Sequence, residues 1–331
     1  MHHGKLDRDT AKGLRVLRER IEKQKNRIPS SKLDETVNIA TWNIREFGKK
    51  ARLKPSLHYI AEILGQFDLI AVVEVREDLS DLGKVLEILG PYWHAVFSDY
   101  ISDPQGNRER IAYLYDKRAV AFTGLAAEAD PPRKKDPVTG EALAALSWWR
   151  APYMASFRAG NFDFILITAH IRWGSGKKAR IAPLKLLAEW IEKRRGEKHV
   201  LDKDIILMGD FNIPKVDDEL FDAITSGGLD IPAGLRGKHG SNLAKTEHYD
   251  QILHYPTHEG RFTDYGGVLD FYKGDHSKLF PGKKMSRDEF TYQLSDHLPL
   301  WVQIDTDISG ALLDQYINPP RKKSAKKKRK G

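Results

Sequence analysis

The chain contains no cysteine, which excludes a disulfide scaffold, a thiolate metal site and a cysteine nucleophile. It also contains no apolar run of about 18 residues, the length that a membrane-spanning helix needs. The opening sequence MHHGKLDRDT lacks the apolar segment of a secretory signal peptide. These absences predict a cytoplasmic protein without a membrane association, although secretion by a route that needs no signal peptide stays open.

Acidic residues are missing from the C-terminal end of the chain. The whole chain has 54 Lys plus Arg and 46 Asp plus Glu, for a formal net charge of +8, and residues 321–331 (RKKSAKKKRKG) alone contain eight of the basic residues. A segment this charged is predicted to be disordered. We interpret it as a nonspecific DNA tether, with a nuclear address or a solubilising terminus as alternatives.

The hydrophobic pattern divides the chain into three parts. Residues 8–27 place apolar side chains at helical spacing among many charges, which predicts a surface helix that docks on the main domain. We therefore assign a basic N-terminal helix and linker to residues 1–36 and a catalytic domain to residues 37–305. Residues 306–331 form a C-terminal extension that ends in the Lys/Arg-rich tail.

The catalytic domain alternates β-rich runs with helical segments, a pattern typical of an α/β fold. Strands are predicted at 37–44, 68–75, 110–116, 161–170, 204–211, 248–253 and 298–304, and helices at 55–65, 79–89, 181–195 and 217–226. Residues 126–147 and 228–247 carry turn residues without periodicity, which predicts two long surface loops. We assign Trp148, Trp149 and Trp173 to packing in preference to ligand contact, with Trp173 as a second candidate for a cleft wall.

Polar residues recur at the ends of the apolar runs, where a strand leaves the core and can direct a side chain into a cleft. Any one of them is explained as a group that satisfies neighbouring backbone atoms, but their restricted chemistry favours a shared site. The set comprises Asn43, Glu74, Glu109, Arg110, His170, Asp210, Asn212, Asp250, Asp296 and His297.

The residue types in this set indicate phosphoester hydrolysis. Carboxylate and amide oxygens suit Mg²⁺ or Mn²⁺ better than a soft metal. His170 and His297 are candidate acids and bases near neutral pH, provided that carboxylates orient them, and Glu109 and Asp250 are the available partners. A hard divalent cation with two oriented histidines favours attack of water on a phosphorus centre.

Seven short motifs occur in the order and approximate spacing of a known superfamily. They are TWNIR (41–45), EVR (74–76), ERIAYLYD (109–116), TAHI (168–171), GDFN (209–212), YDQI (249–252) and SDH (295–297). On these motifs the chain resembles the endonuclease/exonuclease/phosphatase superfamily, and most closely its deoxyribonuclease I branch, over residues 37–305. The resemblance implies a four-layered α/β sandwich of two packed, mainly antiparallel sheets flanked by helices.

The resemblance also implies roles for the individual residues. The acid/base pairs are His170 with Glu109 and His297 with Asp250, and Asp210 and Asn212 act beside them on the scissile phosphate. The implied metal ligands are Glu74, Asn43, Asp296 and Asp210, with Mg²⁺ as the expected ion and Mn²⁺ as an alternative. A structural or activating Ca²⁺ stays open, because the disulfides of secreted relatives have no counterpart here.

Arginines of the same motifs are candidate DNA contacts. Arg45, Arg76 and Arg150 fall where the branch places arginines against DNA phosphates, and Arg110 follows Glu109 and is expected to touch a phosphate or to support the site. Asn107 stands where the branch often carries a tyrosine that contacts the minor groove, so the chain departs from the branch in that mode of groove recognition.

We therefore predict a divalent-metal-dependent DNA endonuclease that leaves 5′-phosphate and 3′-hydroxyl ends. His297 is the preferred base and His170 the preferred acid, and the two labels stay exchangeable. The expected partner is double-stranded DNA with low sequence specificity, bound by a monomer. The main alternative is a phosphoesterase for small-molecule or lipid phosphates, and a non-catalytic DNA-binding module and an abasic-site repair enzyme are weaker alternatives.

Overall fold

The computed structural model describes residues 1–100, 107–130, 134–143, 148–174, 176–237, 240–255, 260–307 and 309–317. The predicted disordered tail lies outside these residues. The helices are α1 (Arg8–Glu22), α2 (Lys54–Leu64), α3 (Ser80–Leu89), α4 (Lys178–Gly196), α5 (Glu219–Thr225), α6 (Arg287–Gln293) and α7 (Ser309–Ile317). None of the helices in these ranges combines the length and the apolar character needed to cross a membrane.

The strands form two large sheets and one short hairpin. In chain order they are β1 (Thr36–Phe47), β2 (Leu69–Val75), β3 (Trp93–Phe97), β4 (Arg110–Asp116), β5 (Ala121–Glu128), β6 (Lys134–Lys135), β7 (Ala142–Leu143), β8 (Tyr153–Ala159), β9 (Phe162–His170), β10 (Ile205–Asp210), β11 (Asp250–His254), β12 (Phe262–Val268) and β13 (Leu300–Asp305). One sheet has the order β12-β13-β1-β2-β4-β3 and the other the order β11-β10-β9-β8-β5. Only the β1–β2 and β9–β10 pairs are parallel among these strands.

Three apolar clusters separate four layers. Between the sheets, side chains such as Val73 of β2 and Phe164 of β9 pack in one buried cluster. A second cluster lies between the six-stranded sheet and helices α1, α2, α3 and α6, and a third lies between the five-stranded sheet and helices α4 and α5. The predicted four-layered, mainly antiparallel α/β sandwich is confirmed.

The N-terminal helix packs on the outer face of this sandwich. Asp7 caps α1 by accepting a hydrogen bond from the backbone N–H of Thr10 at 2.8 Å. Leu14, Leu17 and Ile21 are buried, as their spacing predicts. The hydrophobic stripe therefore attaches the N-terminal part of the chain to α2 and the layers beneath it.

Several elements differ from the sequence prediction. Strands β3, β5, β6, β7, β8 and β12 and helices α6 and α7 were not predicted, and the end of β5 and the β6–β7 hairpin lie within the predicted loop 126–147. The predicted loop 228–247 is not confined to the surface, because Leu229, Leu235 and Leu243 are buried. Helix α4 begins before the predicted start, which places Pro183 inside the helix and not in its first turn.

Candidate active site

The predicted site residues meet at one edge of the two sheets. Asn43, Glu74, His170 and Asp210 lie near the carboxyl ends of the parallel strands β1, β2, β9 and β10. Glu109, Asp250 and His297 lie at or before the amino ends of β4, β11 and β13, which run antiparallel to their neighbours. Strand direction alone therefore brings residues from distant parts of the sequence to the same edge.

Two histidines are each held by a buried carboxylate. His170 Nδ1 lies 2.8 Å from Glu109 Oε2, and His297 Nδ1 lies 2.7 Å from Asp250 Oδ2. In both rings this contact leaves Nε2 as the atom directed away from the orienting carboxylate. Each pair therefore has the arrangement of an oriented acid or base.

Asp210 lies between the two imidazoles. Its Oδ2 is 3.7 Å from His170 Nε2 and 3.9 Å from His297 Nε2. The strand register explains this position, because Asp210 of β10 pairs with His170 of β9 on one side and with Asp250 of β11 on the other. The two Nε2 atoms thus converge on one carboxylate oxygen at the centre of the site.

Asn43 connects this centre to Glu74. Its Nδ2 donates to Glu74 Oε1 at 2.9 Å and to Asp210 Oδ2 at 3.0 Å. Glu74 Oε2 accepts from the backbone N–H of Glu46 at 2.8 Å. Glu74 has φ +63°, an uncommon conformation for a residue with a side chain, and it lies where the ladder between β2 and β4 is irregular. The local backbone strain directs the Glu74 carboxylate toward the cleft.

The donor set fits a hard divalent cation. Asn43 Oδ1 is buried without a hydrogen-bond partner, and the exposed Asp296 lines the same cleft as Glu74 and Asp210. Burial and the nearby Asp250 charge raise the pKa of Asp210, although both histidines act against that shift. A cation beside these oxygens would offset the unfavourable charge on Asp210.

A second candidate set of metal ligands also contains Asp210. Single ligand atoms of Asp210, Asp250 and His297 lie within 4.8 Å of one another, and Asp250 Oδ1 has no hydrogen-bond partner. We favour the set that contains Asn43, Glu74 and Asp296, because Mg²⁺ and Mn²⁺ prefer oxygen ligands and because His297 Nδ1 already contacts Asp250.

The carboxylates control the protonation of both imidazoles. Burial disfavours a charge on His297, but the charges of Asp250 and Asp210 outweigh it and raise the His297 pKa well above its usual value. Burial and Arg150 oppose a charge on His170, whereas Glu109 raises its pKa. Burial opposes ionisation of Glu109, but His170 and Arg150 lower its pKa to about 2. The lowered pKa favours the anionic form of Glu109, whose charge in turn favours the protonated form of His170.

The arginines predicted to contact DNA occupy different positions. Arg76 Nη1 donates to Glu109 Oε1 at 3.3 Å, and Arg150 contacts both oxygens of Glu109 at 3.1 and 2.9 Å. Both arginine side chains are largely buried, and each contacts the Glu109 carboxylate that orients His170. Arg45 lies at the cleft and pairs with the exposed Asp288 at 2.8 Å. Arg110 is not among the cleft-lining residues and donates to the backbone carbonyls of residues 76 and 77, which matches the supporting role.

The candidate catalytic groups open into a cleft of about 660 Å³. Asn107, the residue at the position of the groove tyrosine, lines it and donates to Glu109 Oε1 at 3.2 Å. Trp148 is buried, as predicted, whereas Trp149 and Trp173 are exposed and Trp173 lines the cleft. The packing assignment is therefore confirmed for Trp148, whereas about half of the surface of Trp149 and of Trp173 is exposed.

Two supporting residues were missed at the sequence level. Ser295 Oγ donates to the backbone carbonyl of Asn43 at 2.6 Å and accepts from the backbone N–H of His297 at 2.9 Å. Arg180, on α4, is buried and donates to the backbone carbonyl of Asn212. The sequence contains a signal that could have identified Arg180, because a charged residue on the buried stripe of a helix requires a partner.

Comparison with known sequences gives a consistent family assignment. A model described as the endonuclease/exonuclease/phosphatase family matches residues 40–297. A protein named deoxyribonuclease from Thioalkalivibrio sp. (strain K90mix) is 28% identical over 196 residues, which cover 56% of this chain and 49% of that protein. The chain thus spans about half the length of this relative.

Solved structures share the fold at low sequence identity. An endonuclease/exonuclease/phosphatase family protein from Bacteroides thetaiotaomicron has a TM-score of 0.51 and 20% identity, with 83% of this chain and 96% of that chain covered. A mannosyl-6-phosphatase from the same species has a TM-score of 0.51 and 19% identity, with coverages of 81% and 99%. The human Nocturnin catalytic domain has a TM-score of 0.52 and 16% identity, with coverages of 83% and 96%.

Proposed function

The chain belongs to the endonuclease/exonuclease/phosphatase family, and from that premise we propose that it is a divalent-metal-dependent DNA endonuclease. The observation that carries the proposal is the convergence of two carboxylate-held histidines on Asp210. Hydrolysis of a phosphodiester needs one group that takes a proton from water and another that gives a proton to the leaving oxygen. The similarity to a protein named deoxyribonuclease favours DNA as the substrate.

The two histidines have complementary roles in this mechanism. We assign the base to His297, whose Nε2 accepts a proton from the attacking water when the ring is neutral, while Asp250 stabilises the imidazolium form. Asp250 and Asp210 raise the His297 pKa, so the neutral ring is the less populated form near neutral pH, and the charge of a bound cation would lower that pKa. His170, oriented by Glu109, then donates its Nε2 proton to the departing 3′ oxygen, which leaves a 5′-phosphate and a 3′-hydroxyl. The exchanged assignment uses the same atoms, and the pH dependence of an Arg150 variant distinguishes the two.

Other residues bind the phosphate and the metal. Asn43, Glu74, Asp210 and Asp296 would hold Mg²⁺ or Mn²⁺, which supplies positive charge for the phosphoryl oxygens. Asn212 lines the cleft and donates one Nδ2 hydrogen to the backbone carbonyl of Ile171 at 2.7 Å. The second Nδ2 hydrogen is suited to a phosphoryl oxygen.

The residues that line the cleft support a DNA substrate bound with low sequence specificity at the cleft. Its basic residues, such as Arg45 at the rim, are suited to phosphates, which carry no sequence information. Calcium has no separate role in this proposal, and we propose that a monomer suffices because one chain supplies both acid/base pairs. A phosphoesterase for small-molecule or lipid phosphates uses the same catalytic set and is the alternative to exclude.

The test is nicking of supercoiled plasmid by the full chain with Mg²⁺, with and without EDTA. We expect nicking by the wild type with Mg²⁺ and none with EDTA. His170→Ala should reduce the rate at least ~100-fold, the lower end for a lost acid/base group. His199→Ala changes an exposed histidine outside the cleft lining and should nick at the wild-type rate.

Three outcomes contradict the proposal. Nicking that EDTA does not abolish would remove the metal from the mechanism. Wild-type turnover by His170→Ala would remove the assigned role of that histidine. Release of phosphate from small phosphoesters by a wild-type protein that leaves plasmid intact would establish the alternative function.

A further inference from the structure

The exposed Trp173 indole lines the candidate catalytic cleft, and the Trp149 indole lines an adjoining pocket that shares Arg172 with the cleft. The sequence contains seven tryptophans, and only Trp149 and Trp173 are exposed, at 50% and 52%. Arg172 precedes Trp173 in the chain and lines the cleft, and its guanidinium lies 4.8 Å from the Trp149 ring centroid. We call Trp149, Arg172 and Trp173 the indole rim. An indole that is exposed at the cleft itself, as Trp173 is, points to a ligand that stacks on it.

The Trp173 indole is held in position by the protein. The Arg180 guanidinium lies over its ring at 4.4 Å, and Tyr249 meets it at 88° with ring centroids 5.6 Å apart. Arg180 is itself buried and bonded to the backbone carbonyl of Asn212. The indole is therefore supported from within the protein while half of its surface stays open to the cleft, which lowers the entropy loss on stacking.

An aromatic path connects the rim to the reacting atoms. Tyr249, which contacts Trp173, also lies against His297, with ring centroids 5.8 Å apart and an interplanar angle of 37°. One aromatic ring thus separates Trp173 from a catalytic imidazole. A base stacked on Trp173 would therefore lie close enough to His297 to belong to a nucleotide near the scissile phosphate.

The chemistry of stacking restricts the form of the DNA. In a B-form duplex, neighbouring bases cover both faces of every internal base, so an indole can stack only on a base that is unpaired, terminal or displaced. Every base offers a π-face, so this contact adds affinity without sequence specificity. A cationic side chain beside exposed indoles matches the combination of phosphate attraction and stacking found in single-strand binders.

We propose that the indole rim is a stacking subsite for an unpaired base, and that the substrate class is DNA whose nucleotide beside the scissile phosphate is single-stranded. This inference rests on the proposed nuclease function and changes the expected preference from duplex to single-stranded or locally melted DNA. Trp173 is a specificity-determining residue in this scheme and takes no part in proton transfer.

The test compares one sequence as a single strand and as a duplex, with kcat/KM measured for each in the full chain. The wild type should prefer the single strand. Trp173→Ala should reduce that preference about 10-fold, within the range for loss of one stacked base. Trp173→Phe should keep most of the preference, because it retains an aromatic face. Tyr265→Ala removes an exposed aromatic outside the cleft lining and should leave the ratio unchanged.

Two outcomes of this comparison overturn the subsite. An equal loss on both substrates in Trp173→Ala means that Trp173 only supports Tyr249 and His297. An unchanged ratio means that no base stacks on it.

A binding measurement separates this inference from the nuclease proposal. Fluorescence anisotropy of a labelled single-stranded oligonucleotide in EDTA reports affinity without cleavage. Trp173→Ala should bind about 10-fold more weakly than the wild type, whereas Trp173→Phe and Tyr265→Ala should match it. A wild type that cleaves no DNA would refute the nuclease, and equal affinities of wild type and Trp173→Ala would refute the stacking subsite.

Discussion

Arg150 lies against both members of the pair formed by Glu109 and His170. It contacts both carboxylate oxygens of Glu109, and its Nη1 donates to the backbone carbonyl of His170 at 3.4 Å. Its charge lowers the pKa of Glu109 and also lowers the pKa of His170. An arginine that was predicted to bind DNA therefore also sets the protonation of the site.

Replacing Arg150 by Gln should raise the pKa of His170, because a neighbouring positive charge is removed. If His170 is the acid, the alkaline limb of the profile of kcat/KM against pH moves to higher pH. If His170 is the base, the acid limb of that profile moves to higher pH instead. The measurement is the pH profile of plasmid nicking, in which each limb reports one essential group.

Arg158→Gln is the matched control for that profile. Arg158 pairs with Asp163 in an exposed ion pair on the five-stranded sheet, so both limbs should stay in place. A profile of Arg150→Gln that coincides with the wild type would show that Arg150 does not control His170.

The individual site residues were predictable because each follows or precedes a recognisable apolar run. His170 and Asp210 are neighbours in the strand register, and the sequence placed both at strand ends. Their supporting contacts were not predictable. Ser295 and Arg180 act through backbone carbonyls of other segments, and such contacts depend on the final packing of the segments.

At the scale of elements, α1 is attached to α2 by a partly buried ion pair. Arg18 donates through Nε and Nη2 to the two oxygens of Glu62 at 2.8 and 2.9 Å, and His3 Nε2 lies 2.9 Å from Glu62 Oε2. The Glu62 side chain is 5% exposed and that of Arg18 is 53% exposed. Burial opposes ionisation of Glu62, but its hydrogen bonds to His3 and Arg18 lower its pKa below the usual value.

Glu62→Gln should reduce the free energy of unfolding by about 1–2 kcal/mol at pH 7, between the values for exposed and buried pairs. Because the pKa of Glu62 is lowered on folding, its contribution is present above the unfolded value of 4.5. The contribution is lost as the pH falls through the lower folded pKa. Urea denaturation over that pH range should show the two proteins approaching equal stability in acid.

Glu189→Gln provides the comparison for this experiment. Glu189 is an exposed carboxylate on α4 with a long contact to Lys185, so its removal should change stability little. If the free energies of unfolding of the wild type and Glu62→Gln differ by a constant amount across the acid range, the linkage of stability to Glu62 ionisation is contradicted.

The elements that were predicted are those with strong patterns. Strand β9 is a continuous buried run, and α1 has a clear apolar stripe. Strand β5 was missed because its side chains are largely exposed and include Gly124 and several alanines, so its pairing with β8 determines its conformation. Helix α6 is short, and its capping box at Ser286 and Glu289 was the available signal.

At the scale of the molecule, the charge is distributed unevenly along the chain. Residues 37–320 contain 36 basic and 40 acidic residues, whereas residues 321–331 contain eight basic residues and no acidic one. An acidic cluster is suited to a divalent cation but repels the DNA backbone at long range. The tail and local arginines such as Arg172 are therefore the groups that can supply attraction for phosphates.

Truncation after Pro320 should weaken binding of a DNA oligonucleotide and flatten the dependence of log Kd on log salt. Each phosphate contact contributes about 0.7–0.9 to that slope, because binding releases condensed counterions. The measurement is a salt titration of affinity by fluorescence anisotropy in EDTA. A variant with the eleven tail residues in scrambled order keeps the eight charges and should bind like the wild type, since a tether depends on charge and not on motif. If truncation leaves affinity and slope unchanged, the tail is no tether, and the attraction for DNA resides in the cleft alone.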